Sequence, residues 1–429
     1  MTDYRRKVRY VDIEVKQLLF KKSGIAIDDL ISLTPFLQGV RLYSNHDDLS
    51  TVIWAQPTAQ RFNWSYPLEL FDRLDQNALH LRSFEWNGRF PNTTDVLETA
   101  QLAHTRTSFS RLCELSCLNL SLPEKTPEVE IAKAQSLLAG ALGALHELQR
   151  LSFRNCAMLD EVTVSSLPLE LHHLQLVYCS QLTSRALEQY LSSGGTYLKS
   201  LTLDGNQSMS LGFMADLKTI CPRLENLEVD MLYIDPTSFR DREPLYDELL
   251  PDGPPTWPSS LVSVSVENLR QLSASDAEDF FASLVDSSEN LPHLKKLNIK
   301  AILKDASWRD RAELRKTWLP RLENVFLNTE QPANMVTKTS KSLPASQRQS
   351  TRIANSHLKS LSLTDNTDES DENQSRSVQA RCDVVNLVIS QERPAQEQFH
   401  EEDFLDTEPD DDGEWNERSQ PQASNDYAW

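Results

Sequence analysis

Leu171-His172-His173-Leu174-Gln175-Leu176-Val177-Tyr178-Cys179-Ser180-Gln181-Leu182-Thr183-Ser184-Arg185-Ala186-Leu187 decides how the whole chain reads. Its first nine residues follow L-x-x-L-x-L-x-x-C, the spacing of a short strand that alternates its side chains and then turns. Thr183 then precedes a run of good helix formers, as a helix cap does. The same spacing stands on either side. Leu148, Leu151, Phe153 and Cys156 lie upstream, and Leu198, Leu201, Leu203 and Asn206 downstream, with starts 23 and 27 residues from that of the central copy. Further copies begin at Leu224, Leu261, Leu294 and Leu322, and weaker ones at Leu37, Leu81, Leu115 and Leu358.

In each copy the second and third apolar positions fall on one side of the strand, and no single repeat can bury that side. Stacking completes the core. The expected architecture is α/β: a leucine-rich-repeat solenoid with a curved parallel sheet on the concave side, helices on the convex side and a disordered acidic C-terminal tail. Cys156 and Cys179 occupy the position whose side chain turns inward to bond the departing backbone, so they read as structural. Helices are predicted over 184–192, 211–220, 276–286 and 308–319, with caps at Thr183, Ser275 and Ser307.

Composition shifts divide the chain into an N-terminal capping region with irregular repeats (1–80), a repeat domain (81–328), a flexible linker (329–357), possible terminal strands at Leu358 and Val384 within a partly disordered stretch (358–392), and an acidic tail (393–429). The formal charge is −20, and residues 365–429, with 19 acidic and 4 basic side chains, hold −15 of it. The remaining body is nearly balanced. The tail reads as a solubilising segment or, more sharply, as a linear motif or a lid placing its acids on Arg150, Arg154, Lys296 and Lys300.

Six cysteines in 429 residues do not make a secreted disulfide framework, and the apolar positions after the basic start are broken by Asp12, Glu14 and Lys16. An intracellular chain, cytoplasmic or nuclear, is expected, with no membrane span; Asn-x-Ser/Thr matches such as Asn63-Trp64-Ser65 and Asn206-Gln207-Ser208 then read as chance. His146-Glu147-Leu148-Gln149-Arg150 starts like a zinc-protease helix, but Arg150 stands where the second histidine must be. Cys113-x-x-x-Cys117 has no second pair, and in the frame starting at Leu115 Cys117 faces outward. No phosphate-binding glycine loop or nucleophile elbow is present. Glu225 and Glu228 read as solvated strand carboxylates. Neither an enzyme nor a cofactor or metal site is expected.

The segment from Leu171 to Leu187, with its C-x-x-L-T signature at Cys179 to Thr183, resembles the cysteine-containing leucine-rich repeats of F-box/LRR proteins, substrate receptors of cullin-RING ubiquitin ligases. The chain is also similar to fungal F-box/LRR-like proteins around Trp308-Arg309-Asp310-Arg311-Ala312-Glu313 and Glu401-Glu402-Asp403-Phe404-Leu405-Asp406. The resemblance implies a protein partner and a ligase adaptor. The F-box itself would open with a Leu-Pro-x-Glu-like turn. Tyr66-Pro67-Leu68-Glu69-Leu70 and Leu167-Pro168-Leu169-Glu170-Leu171 both read instead as loops leading into strands, so the chain carries no convincing F-box.

The outward strand residues should form three rows, repeat by repeat Arg150, Ser152, Arg154; His173, Gln175, Val177; Ser200, Thr202, Asp204; Asn226, Glu228, Asp230; Ser263, Ser265, Glu267; Lys296, Asn298, Lys300; Asn324, Phe326, Asn328. Basic, acidic and basic patches follow in order. That pattern predicts a non-enzymatic interaction module that binds a protein on this face, with no nucleic-acid or membrane partner. The expected contact residues are Arg150, Arg154, His173, Gln175, Asp204, Glu228, Asp230, Glu267, Lys296, Lys300 and Phe326. The function is ligase substrate recognition or scaffolding outside ubiquitination, with an enzyme of unrecognised site ranked behind both.

Overall fold

Strand after strand carries two inward apolar residues flanked by three outward ones, and the strands pair as that pattern requires. The computed structural model describes residues 4–19, 27–44, 47, 64–90, 92–123, 125–233, 242–304, 306–327 and 382–391. Within them lies one parallel sheet in chain order: β1 Tyr10–Glu14, β2 Gly39–Tyr43, β3 Ser83–Asn87, β4 Glu114–Leu118, β5 Arg150–Arg154, β6 His173–Val177, β7 Ser200–Asp204, β8 Asn226–Asp230, β9 Ser263–Leu272, β10 Lys296–Leu303 and β11 Val384–Gln391. The sheet belongs to the first of two units, 1–391, and the second, 392–429, lies outside the described residues. So do the stretch 329–357 and the repeat candidate at Leu358.

Parallel pairing needs crossover connections, and helices lie in all of them except that from β8 to β9, where none is found among the described residues: α1 Val15–Leu19, α2 Ile27–Ser32, α3 Leu68–Gln76, α4 Thr93–His104, α5 Glu128–Gly143, α6 Glu161–Ser165, α7 Ser184–Gly194, α8 Leu217–Ile220, α9 Ala274–Asp286 and α10 Trp308–Phe326. Their buried faces share one core with the inward strand residues Leu151, Phe153, Leu174, Leu176, Leu201 and Leu203. Each such leucine stabilises the stack by about 1.5–3 kcal/mol. Near the N-terminal end the core is aromatic. Trp86 packs on Phe71 and Phe84, and its Nε1 donates to His104 Nε2 at 2.9 Å. His104 Nδ1 faces the Ala141 carbonyl at 2.7 Å, so the ring is the neutral Nδ1–H tautomer; burial holds its pKa down at about 4.

The expected caps hold at Thr183, whose side chain accepts from the Ala186 amide, and at Ser307, which forms a capping box with Asp310. The cap of α9 is Ser273, not Ser275, again boxed with an aspartate, Asp276. The segment 211–220 is a 3₁₀ turn, Gly212–Asp216, followed by the single turn α8. One repeat is overturned. Leu322, Val325 and Leu327 fit the strand spacing, yet α10 runs through Phe326, because Leu314, Trp318, Leu322 and Phe326 recur every four residues and are buried together. Leu327 makes an isolated bridge to Cys382, and β11 pairs with β10. Cys117 is also corrected. Its strand is framed by Leu112 and Leu115, and Cys117 is buried between Trp86 and Phe153.

The position that closes each repeat behaves as its chemistry requires. The Cys156 thiol bonds the Cys117 carbonyl at 3.3 Å, and Cys179 sits on the Val177 carbonyl at 3.6 Å. Asn206 does the same work with two bonds, accepting from the Cys179 amide at 2.8 Å and donating to the Leu176 carbonyl at 2.9 Å. Burial pushes the Cys156 thiol up to about 12 and Cys179 well above its ordinary value, so neither is poised as a nucleophile.

Candidate partner-binding face

The outward residues stand in register over six adjacent strands. The first row runs Arg150, His173, Ser200, Asn226, Ser263, Lys296; the second runs Ser152, Gln175, Thr202, Glu228, Ser265, Asn298. The third row runs Arg154, Val177, Asp204, Asp230, Glu267, and Lys300 follows across a register shift between β9 and β10. Of the eleven residues expected on the face, ten are brought together here. Phe326 is the exception: it is a buried residue of α10, and Asn324 lies on the same helix, while Asn328 is outside the described residues. Val177 is an outward residue that is nonetheless buried.

Most of the charges on this face have no ion-pair partner among the described residues. Among the described residues no ion pair reaches Arg154, Asp204, Glu228, Asp230, Glu267, Lys296 or Lys300, and Arg150 has only Glu114 at 3.9 Å. Arg154, Glu228 and Lys296 are exposed. The half-buried carboxylates are held by neutral donors. Asp230 Oδ1 accepts from Asn268 Nδ2 at 2.6 Å and from the Leu232 amide at 3.0 Å; Glu267 Oε1 accepts from Asn298 Nδ2 at 2.6 Å and from the Ser265 hydroxyl at 3.2 Å. Partial burial, then the neighbouring Asp230 and Glu228, push Asp204 up to about 6, with Arg154 pulling the other way. Burial lowers the pKa of His173, helped by Arg150. The concentrated negative charge on β7 to β9 is therefore an unbalanced field between two basic edges.

Sequence reasoning missed the rim beside the third row. Asn119, Asn155, Tyr178 and Gly205 take positive φ there, directly after β4, β5, β6 and β7, and Asn268 takes it within β9 at the register shift against β10, all in the left-handed region that asparagine and glycine favour. A side chain at Gly205 would strike the Tyr178 ring, which lies against it. Burial, then Asp204 and Asp230, push the Tyr178 phenol up to about 12. The recurring asparagine one residue after the third outward position, at Asn119 and Asn155, was the available signal.

Among the described residues no three His, Cys, Asp or Glu side chains are grouped to hold a metal ion, and no helix is long and apolar enough to cross a membrane. No protein-family model matches the chain, and no curated protein matches it. Among solved structures it is similar to the complex of Rad7 and Elc1 in yeast, with 13% identity over 60% of this chain and 81% of that chain and a TM-score of 0.28. A likeness of that degree carries no argument about what either chain binds.

Proposed function

We propose that the chain is a protein-recognition module that binds by the outward face of β5 to β10 and catalyses no reaction. The observation that supports this is the set of sign-segregated charges on one sheet face, all but Arg150 without an ion pair among the described residues. Like charges opposite one another on adjacent strands are destabilising. A partner of complementary charge offsets that cost and gains specificity and association rate. The central acids would repel phosphate, which argues for protein over nucleic acid or an anionic membrane.

Within this reading, substrate recognition for a cullin-RING ubiquitin ligase is the specific form suggested by the resemblance of the Cys179 repeat to F-box/LRR repeats. A scaffold outside ubiquitination uses the same face. Co-purification with a ligase adaptor separates the two.

The face is tested with Arg154→Glu, Glu228→Lys and Lys296→Glu together, three exposed side chains with no side-chain bond to lose among the described residues. Partner recovery in affinity purification with mass spectrometry should fall at least about tenfold while the melting temperature holds. Undiminished recovery by the folded variant overturns the assignment.

A further inference from the structure

The third outward row carries more information than its net charge. From β5 to β10 it reads Arg154, Val177, Asp204, Asp230, Glu267, Lys300: one positive end, three consecutive carboxylates and a second positive end. The first row has no such order, since Arg150 and Lys296 are separated by His173, Ser200, Asn226 and Ser263. Neighbouring strands lie about 4.8 Å apart, so the third row spans about 24 Å, with its carboxylates about 10 to 19 Å from Arg154. An extended polypeptide advances about 3.3 Å per residue. Charge matching along that line therefore fixes a spacing in the partner.

We propose that the partner presents an extended segment of about eight residues laid across the strands along the third row, acidic at its first and eighth positions and basic within its fourth to seventh. This rests on the protein-binding reading above and adds the order of charges in the partner. The buried Val177 leaves the second position without a charge to meet. Asp230 and Glu267 are each fixed by an asparagine amide at 2.6 Å, so two of the three carboxylates are held in place before the segment arrives. Tyr178 adds an aromatic ring beside Asp204, which suits arginine among the basic positions.

The test is fluorescence anisotropy of the full chain with two labelled peptides of identical composition. One has aspartate first and eighth with arginines between, and the other has the aspartates in the middle and the arginines at the ends. At low salt the patterned peptide should bind at least about tenfold more tightly, and the gap should close at high salt, where the Debye length is about 3 Å. Arg154→Glu should weaken the patterned peptide and be rescued by lysine at the peptide's first position. The two peptides are compared on the unaltered chain, so the test does not depend on any variant folding. Equal binding of the two overturns the proposal. If they bind equally while the triple charge reversal still loses its partners, the protein-binding face stands and the linear order falls; if that variant also keeps its partners, both fall.

Discussion

The outward face over β2 to β5 and the one over β7 to β10 are built on the same strand geometry and treat their polar groups in opposite ways. On the first, Arg41 pairs with Glu85 at 3.1 Å, and Asp47 gathers Asn87 Nδ2 at 2.7 Å, Asn119 Nδ2 at 3.0 Å and the Arg89 guanidinium at 3.5 Å. Asn155 Nδ2 extends that network by donating to Asn119 Oδ1 at 2.7 Å. On the second face Asp230 and Glu267 are held by neutral amides and a hydroxyl, and among the described residues neither the carboxylates nor the flanking lysines form an ion pair. A buried polar network that satisfies itself fixes a structure. A row of charges left unmatched lowers the stability of the free chain, and that cost can be recovered by a partner. On the proposed reading, the difference sets a self-satisfied network at one end of the sheet and the charges offered to a partner at the other.

The comparison breaks first at Asn119. Asn119→Leu removes the amide that bonds Asp47, removes the acceptor that Asn155 uses, and forces a branched side chain into φ 54°. Unsatisfied buried groups and the left-handed backbone together should cost about 4 kcal/mol, measured by urea unfolding. A loss under about 1 kcal/mol would mean that the network is decoration, and the contrast between the two faces would lose its basis.

The second effect is of pH on the N-terminal core. His104 is neutral when folded, with a pKa of about 4, against about 6.5 in an unfolded chain. Between these values the unfolded state binds more protons, so stability is complete above about pH 6.5 and declines as pH falls towards 4. The full difference is about 3 kcal/mol. His104→Gln keeps a group able to accept from Trp86 and donate to Ala141 without titrating, and it should flatten that part of the stability–pH curve. An unchanged slope would assign the acid sensitivity elsewhere.

How much of this was legible in the sequence depended on whether a position answered to one pattern or two. Leu151 and Phe153, or Leu174 and Leu176, fit no frame but the strand, and the closing Cys156, Cys179 and Asn206 followed from the same spacing. Leu115, Leu118 and Leu120 offered a frame three residues later than the one that Leu112, Leu115 and Cys117 occupy, and apolar identity alone does not choose between them. At Leu322 the strand spacing competed with a four-residue helical period backed by a capping box, and the helix won. The charged rows could be read because register follows from the hydrophobic pattern. The Asp47 network could not, because it joins a loop residue to asparagines 40 and 72 positions away.

The smallest effect has the opposite sign and sharpens the contrast most. Asp204 titrates at about 6 in the fold, above the carboxylate's value of about 3.9 in an unfolded chain, so here the folded state binds the extra proton. Its contribution therefore turns unfavourable as pH rises from about 4 to 6, the range over which His104 becomes favourable. Asp204→Asn removes the penalty. It should stabilise the free chain by about 1 kcal/mol at pH 7, a figure reduced for the solvent that reaches the side chain, and by nothing near pH 4. The same substitution should weaken binding of a basic segment at pH 7. A residue that costs the free chain stability and strengthens the complex has its energetic justification in the partner, and a variant that lost on both counts would return Asp204 to the scaffold.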